Sequence, residues 1–353
     1  MSRSSEKQET ANQQLQPIYF CDYKFGVGTA QRSRITNEVS ELSNVDSQKP
    51  VFTPDILRSA IHIRTPILRN ALSEFLGTAL LLFIGDAIVM QFILSDEKLN
   101  TWIQINVGWA FAITLCVYSC AKTSGSGHFN PAVSLTMVTL GKLSVPHFLI
   151  YCVVQTFGAF LGAAAALGIY YDQFVHFTEG VLKIVGPKST ARCFCSFPDP
   201  HISNTTCFFD QVVGTGLLVF FVCVIIDKRN RIPDAAHPLL FGLTLLLIGT
   251  SYGMNLGYPI NPARDLGPRL LAYFIYGEEV FTYHDYYFWI PIVAPCVGGV
   301  LAAWMYYTCI GAHIPDPNDD YPMRRKRDLG HEAGESSRRS SRSRHRVSPK
   351  SSN

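Results

Sequence analysis

Two stretches decide how this chain folds: Gly127-His128-Phe129-Asn130-Pro131-Ala132-Val133-Ser134 and Gly257-Tyr258-Pro259-Ile260-Asn261-Pro262-Ala263-Arg264-Asp265. Each places Asn-Pro-Ala at the head of a short apolar run, 130–140 in one case and 261–274 in the other. Asparagine is a favoured helix cap and proline suits the first helical position, so both runs read as helix starts. A helix of ten to fourteen apolar residues is too short to cross a hydrocarbon core of about 30 Å. The two runs are therefore expected as re-entrant half-helices.

Working outward, each half-helix lies among longer apolar segments: 67–94, 101–121 and 146–170 around the first, and 211–227, 236–252 and 287–310 around the second. Several reach the ~20 residues that a membrane span requires. The composition agrees, with 48% hydrophobic and only 16% charged residues, against about a quarter charged in soluble domains. The pattern is three spans and one half-helix, written twice. Gly77-Thr78 answers Gly214-Thr215, Asn130 answers Asn261, and Gly158 answers Gly298. Because three is odd, the second copy enters upside down, as in inverted-repeat membrane proteins. The expected fold class is an all-α membrane protein of six transmembrane helices and two half-helices, with repeats at about 67–171 and 207–311 inside a domain over 61–312. The polar stretch 1–60 and the basic, Ser/Arg-rich stretch 313–353 are expected as disordered tails.

Lys and Arg placement gives the orientation. Arg64, Arg69, Lys142, Lys228, Arg229, Arg231 and the cluster Arg324, Arg325, Lys326, Arg327 all fall on one side of a six-span layout. That side is expected to be cytoplasmic, with both termini on it. The connection 171–210 is then outside, where Asn204-Thr205-Thr206 is a candidate glycosylation sequon. Cys193, Cys195 and Cys207 lie in the same connection, and an oxidising face allows a bridge from Cys207 to Cys193 or Cys195.

Half-helices entering from opposite faces bring two N-termini to the bilayer centre, each carrying about half a positive charge. Facing positive ends repel cations and protons. The Asn130 and Asn261 amides are expected to point donors into a pore, where a water or hydroxyl oxygen accepts from both and a continuous proton wire is interrupted. Such a site sieves and carries out no bond chemistry. With the preceding glycines and the flanking spans, the two Asn-Pro-Ala loops, Asn130-Pro131-Ala132 and Asn261-Pro262-Ala263, resemble the signature loops of the aquaporin superfamily, over about 68–310. One such tripeptide is a poor signal; two in matching positions of an inverted repeat are a specific one.

The resemblance also points to a branch. Asp265 after Arg264, Arg269, the Pro291-Ile292 pair, the run from Gln155 to Gly162 and Tyr170-Tyr171-Asp172 look like the aquaglyceroporins. It implies a passive channel for glycerol, water and other small uncharged solutes such as urea. It implies a filter of Arg264, Gly249, Tyr258 and an aromatic from the second span, for which Trp109 is the candidate and Ala110 the competitor. In that filter Gly249 leaves room, Tyr258 and Trp109 hold the carbon chain, and Arg264 donates to hydroxyls. Asp265 is expected to compensate the charge of Arg264 and tie down its loop, or to cap the half-helix. Glu74 in Glu-Phe-Leu-Gly-Thr, with Gln211 as its second-half counterpart, is expected to brace a re-entrant loop. Asp86 faces a vestibule or pairs with a neighbour. His128 reads as part of the pore wall rather than as a pH sensor. A homotetramer with one pore per subunit, in the plasma membrane, is implied by the resemblance alone.

In the C-terminal stretch, Arg338-Arg339-Ser340-Ser341 reads as a kinase site at Ser340, and Arg324–Arg327 as a patch for anionic lipid. The other readings are a water-selective aquaporin, against which Asp265 and Gly249 stand, and a non-conducting scaffold or adhesion protein of the same fold, against which Asn130, Asn261 and Arg264 stand. An intramembrane enzyme lacks a nucleophile–base pair, and a nucleotide-driven pump lacks a Gly-rich Lys loop. No metal, cofactor or nucleic-acid partner is implied.

Overall fold

A computed structural model describes residues 53–315. A short helix, α1 (Thr53–Ile61), belongs to a separate unit that ends at His62. It exposes Ile56, Leu57 and Ile61, and it falls inside the stretch read as a polar tail. Ser340 and Arg324–Arg327 lie outside the described residues.

The second unit is a helical bundle. The first half holds α2 (Pro66–Leu94), α3 (Trp102–Ser124), the half-helix α4 (Pro131–Thr139) and α5 (Val145–Thr178). The second holds α6 (Asn204–Ile226), α7 (His237–Leu256), the half-helix α8 (Pro262–Tyr276), the short α9 (Glu279–Tyr286) and α10 (Ile290–Cys309). Among the described residues, six helices are long and apolar enough to cross a membrane. The boundaries follow local chemistry. Proline stands at the start of α2, α4, α5, α7, α8 and α10, where the missing N–H has no intrahelical partner to lose. Asn130 and Asn261 cap α4 and α8 with their side-chain oxygens.

Burial runs opposite to that of a soluble protein. Large apolar side chains face outward, with Val153, Ile169 and Leu301 all more than half exposed, and lipid is the solvent that suits them. The interior is built from small and polar residues. On α2 the inward stripe is Ser73, Glu74, Gly77, Thr78, Leu81, Leu82, Gly85 and Asp86. Close helix packing depends on two matching glycines. A Cβ on Gly158 of α5 would stand 2.4 Å from the Phe75 carbonyl oxygen on α2, and one on Gly298 of α10 would stand 2.1 Å from the Val212 carbonyl oxygen on α6. So α2–α5 and α6–α10 are the same contact made twice, which is the inverted repeat that the paired motifs predict.

Candidate functional site

The two half-helices meet through their caps. Asn130 Oδ1 accepts from the Ala132 amide at 2.9 Å, and its Nδ2 donates across to the Ile260 carbonyl at 3.0 Å. Asn261 repeats this, accepting from the Ala263 and Arg264 amides at 3.0 and 3.3 Å and donating to the Phe129 carbonyl at 2.8 Å. Each carboxamide thereby has its oxygen and one N–H fixed, and the second N–H remains for a passing oxygen. The acceptor carbonyls belong to Phe129 and Ile260, whose φ values are 48° and 34°. A bulky or β-branched residue at positive φ is strained backbone. The strain turns each carbonyl toward the opposite asparagine.

That strain is held from behind. Glu74, fully buried, accepts from the His128 amide at 2.9 Å, the Phe129 amide at 2.8 Å, Ser126 Oγ at 3.0 Å and Gln155 Nε2 at 2.9 Å. Gln211 accepts from the Ile260 amide at 2.8 Å and donates to Asp210, which in turn accepts from Asn255. Glu74 thus gathers four donors behind the first half-helix, and Gln211 takes one from the loop before the second. His128 stacks edge-on against Tyr151, and its Nδ1 lies 3.1 Å from Ser134 Oγ.

A cavity of about 590 Å³ runs along the half-helix caps toward Lys142, Ser144 and His147. Another, of about 540 Å³, lies under the connection between α5 and α6. Trp109, Gly257, Tyr258, Pro259 and Arg264 line both, so they stand where the two cavities adjoin. The guanidinium carbon of Arg264 lies 5.2 Å from the centre of the Trp109 ring, and Arg264 Nη1 donates to the Phe194 carbonyl at 2.9 Å. Ala110, the competing residue, faces elsewhere. A Cβ on Gly242 of α7 would stand 2.6 Å from the Ala110 carbonyl oxygen, and Ala110 lines neither cavity.

Several expectations need correction. Gly249 lines neither cavity. A Cβ there would stand 2.6 Å from Asn106 Oδ1 and 2.8 Å from the Tyr258 ring, so the room it leaves is filled by those side chains and not by lumen. Asp265 does not tie itself to Arg264. Its Oδ1 takes Nε and Nη2 of Arg269 at 2.9 and 2.7 Å, while Oδ2 takes the amide and hydroxyl of Ser196. One helical turn separates Asp265 from Arg269, whereas adjacent side chains such as those of Arg264 and Asp265 diverge. Arg269 also donates to the Val280 and Ser196 carbonyls at 2.8 and 2.6 Å. The pair therefore clamps the α5–α6 connection to α8. The cap of α8 is Asn261, not Asp265.

Cys193, Cys195 and Cys207 are all buried free thiols. Cys193 and Cys195 pack with Phe174 and Phe194, while Cys207 packs with Tyr287 and Ile290. Placing them in separate apolar clusters leaves no bridge, and burial pushes the Cys195 thiol up to about 12. Asp86 fits neither expectation for it: it is fully buried, lines neither cavity, and neither carboxylate oxygen has a hydrogen-bond partner. Asn204 is half-buried at the first turn of α6, and its Nδ2 donates to the His284 carbonyl at 3.0 Å. Sequence reasoning missed Asn106, whose Oδ1 accepts from the Tyr258 hydroxyl at 2.6 Å. Its signal was a polar residue inside the apolar run of α3, one turn from Trp109.

Comparison with known proteins agrees with this architecture. The chain matches the major intrinsic protein family over residues 62–306. It is 40% identical to human aquaporin-9 across 75% of this chain and 90% of that one. It is 39% identical to aquaglyceroporin-3 of Trypanosoma brucei brucei, across 67% and 77%. Among solved structures, the aquaglyceroporin from Plasmodium falciparum superposes with a TM-score of 0.62 at 32% identity, covering 68% of this chain and 95% of that one. With paired capped half-helices inside an inverted repeat and relatives of this kind, the chain belongs to the major intrinsic protein family, on its aquaglyceroporin branch.

Proposed function

We propose that the chain is a passive channel for glycerol and water, and for other small uncharged solutes such as urea, with its filter at Trp109, Tyr258 and Arg264. The observation that carries this reading is the junction of the two cavities, where an arginine stands against an indole and a tyrosine closes the side. Rings on one flank suit the carbon chain of a polyol. The guanidinium on the other donates to hydroxyls and repels cations. Gly249 contributes by giving Tyr258 its seat. The free N–H groups of Asn130 and Asn261, at two helix N-termini, then pass each oxygen along and disfavour cations and protons at the midplane. Nothing in this route makes or breaks a bond, and the chain is a transporter rather than an enzyme.

The side carrying Arg64, Arg69, Lys142, Lys228, Arg229 and Arg231 is proposed to be cytoplasmic, in the plasma membrane, with four copies assembling around separate pores. Charge bias supports the orientation; the tetramer rests on the family. Asn204 is the proposed glycan acceptor, on condition that its bond to His284 opens. Proteoliposomes carrying Arg264→Ala or Tyr258→His test the filter, with glycerol and water fluxes read from the same vesicles. Tyr258→His should lower glycerol entry while water flow persists, and Arg264→Ala should admit cations that the parent excludes. Unchanged glycerol flux in Tyr258→His together with cation exclusion in Arg264→Ala would move the filter elsewhere.

A further inference from the structure

Four residues seat Tyr258, and one of them holds its polar end. The ring packs edge-on to Trp102, centroids 6.1 Å apart at 78°. Its flank lies against Gly249 and Gly253, where added Cβ atoms would stand 2.8 and 3.2 Å from ring carbons. Its hydroxyl donates to Asn106 Oδ1 at 2.6 Å. Asn106 is fully buried on α3, and its Nδ2 has no hydrogen-bond partner. An asparagine retained at such a place, with half its amide unsatisfied, is costly inside a membrane protein. A residue that is costly and yet holds one specific partner marks a constraint on that partner.

We propose that Asn106 is a positioning residue that sets the width of the constriction by tethering the Tyr258 hydroxyl away from the lumen. The backbone of Tyr258 sits at φ 43° in a re-entrant loop, and side-chain bonds such as this one over-determine that conformation. The tether turns the hydroxyl toward α3, so that the ring presents carbon to the junction of the cavities. The bond to Asn106 is the hydrogen bond that holds the ring in its seat. Without it, whether the amide or the hydroxyl is removed, the ring leans toward the lumen. A lean narrows the passage for a solute as wide as a polyol and matters little to water. Asn106 thus deepens the glycerol-channel reading and rests on it.

The experiment measures glycerol and water permeability in the same proteoliposomes for the parent, Asn106→Ala, Tyr258→Phe and the double variant. Reading the ratio removes any dependence on the amount of folded protein. Each single variant is expected to lower the glycerol-to-water ratio by about fivefold to tenfold, the scale of one hydrogen bond. The double variant is expected to fall no further than the worse single, because both remove the same bond. Asn106→Asp, which keeps an acceptor, should hold the ratio nearer the parent than Asn106→Ala does. A ratio untouched by Asn106→Ala, or effects that multiply in the double variant, would overturn the tether. If Asn106→Ala yields no folded protein, Tyr258→Phe decides alone, since an unchanged ratio there also overturns it. A parent that passes no glycerol would instead strike the underlying channel reading.

Discussion

The buried pair of Asp265 and Arg269 gives the sharpest energetic expectation. Arg269 is 1% exposed and Asp265 fully buried, with two bonds between them and three more from the pair to Ser196. Removing one member of a buried pair leaves an uncompensated charge and costs about 3–5 kcal/mol. Asp265→Ala strands the guanidinium on the carbonyls of Val280 and Ser196 and orphans the Ser196 amide. At about 2–4 °C per kcal/mol for a domain of roughly 150–250 residues, the midpoint in a thermal ramp of detergent-solubilised protein should fall by about 10 °C. The damage should reach the constriction. Ser196 lies two residues from Phe194, whose carbonyl takes Arg264 Nη1 at 2.9 Å, so a loosened connection frees the filter arginine and glycerol flux should fall severalfold. Replacing both charges at once, Asp265→Leu with Arg269→Met, should recover much of the midpoint, since apolar replacement of a buried pair is often neutral, and should leave the flux impaired. A midpoint within about 2 °C of the parent for Asp265→Ala, or a double variant less stable than either single one, would show that the pair does not clamp the connection.

Other expectations follow from single contacts. Gly298→Leu should abolish the folded bundle, seen as loss of the monodisperse peak in size exclusion, because its Cβ already meets the Val212 carbonyl at 2.1 Å. Gly249→His should displace Tyr258 and Asn106 and suppress glycerol more than water, read as the flux ratio. Asp227 accepts bidentately from Arg229 and singly from Tyr306; mainly the Arg229 bonds lower its pKa from 3.8 to about 2. A lowered carboxylate pKa stabilises the fold above 3.8 and loses that contribution as pH falls toward 2, so Asp227→Asn should lower the thermal midpoint at pH 7 and flatten its fall between pH 4 and 2. Non-reducing and reducing gels of the purified protein should coincide, and maleimide should label Cys193, Cys195 and Cys207 only after denaturation.

How much was legible in the sequence depended on whether the signal was local. Asn-Pro-Ala writes a cap and a first turn into consecutive residues, so both half-helices and the asparagine donors could be read directly, and the matched glycines carried the repeat. Glu74 was legible because an acid in an apolar run demands partners. The third span ran on to Thr178, beyond the expected 170, because its polar last turns continue the helix past the apolar segment. The partners of Asp265 were not legible from adjacency. Neighbouring side chains on a helix diverge, while Arg269 is one turn on and Ser196 comes from a connection 69 residues away in sequence. Gly249 misled for a related reason: a missing side chain announces space but not its occupant, and the occupant here pairs α3 with the second re-entrant loop. Cys193, Cys195 and Cys207 share a stretch of sequence, yet Cys207 falls on α6 and enters a different apolar cluster from the other two.

The most direct test of the account is glycerol uptake by the unmodified chain. Purified protein in proteoliposomes, beside empty vesicles, would be exposed in turn to a glycerol gradient and to an impermeant osmolyte, with vesicle volume followed by light scattering. Rapid shrinkage is expected in both, followed in glycerol by a fast recovery that empty vesicles lack. Water flow without that recovery would contradict a glycerol-sized constriction at Trp109, Tyr258 and Arg264, and neither flux from correctly inserted protein would contradict an open channel.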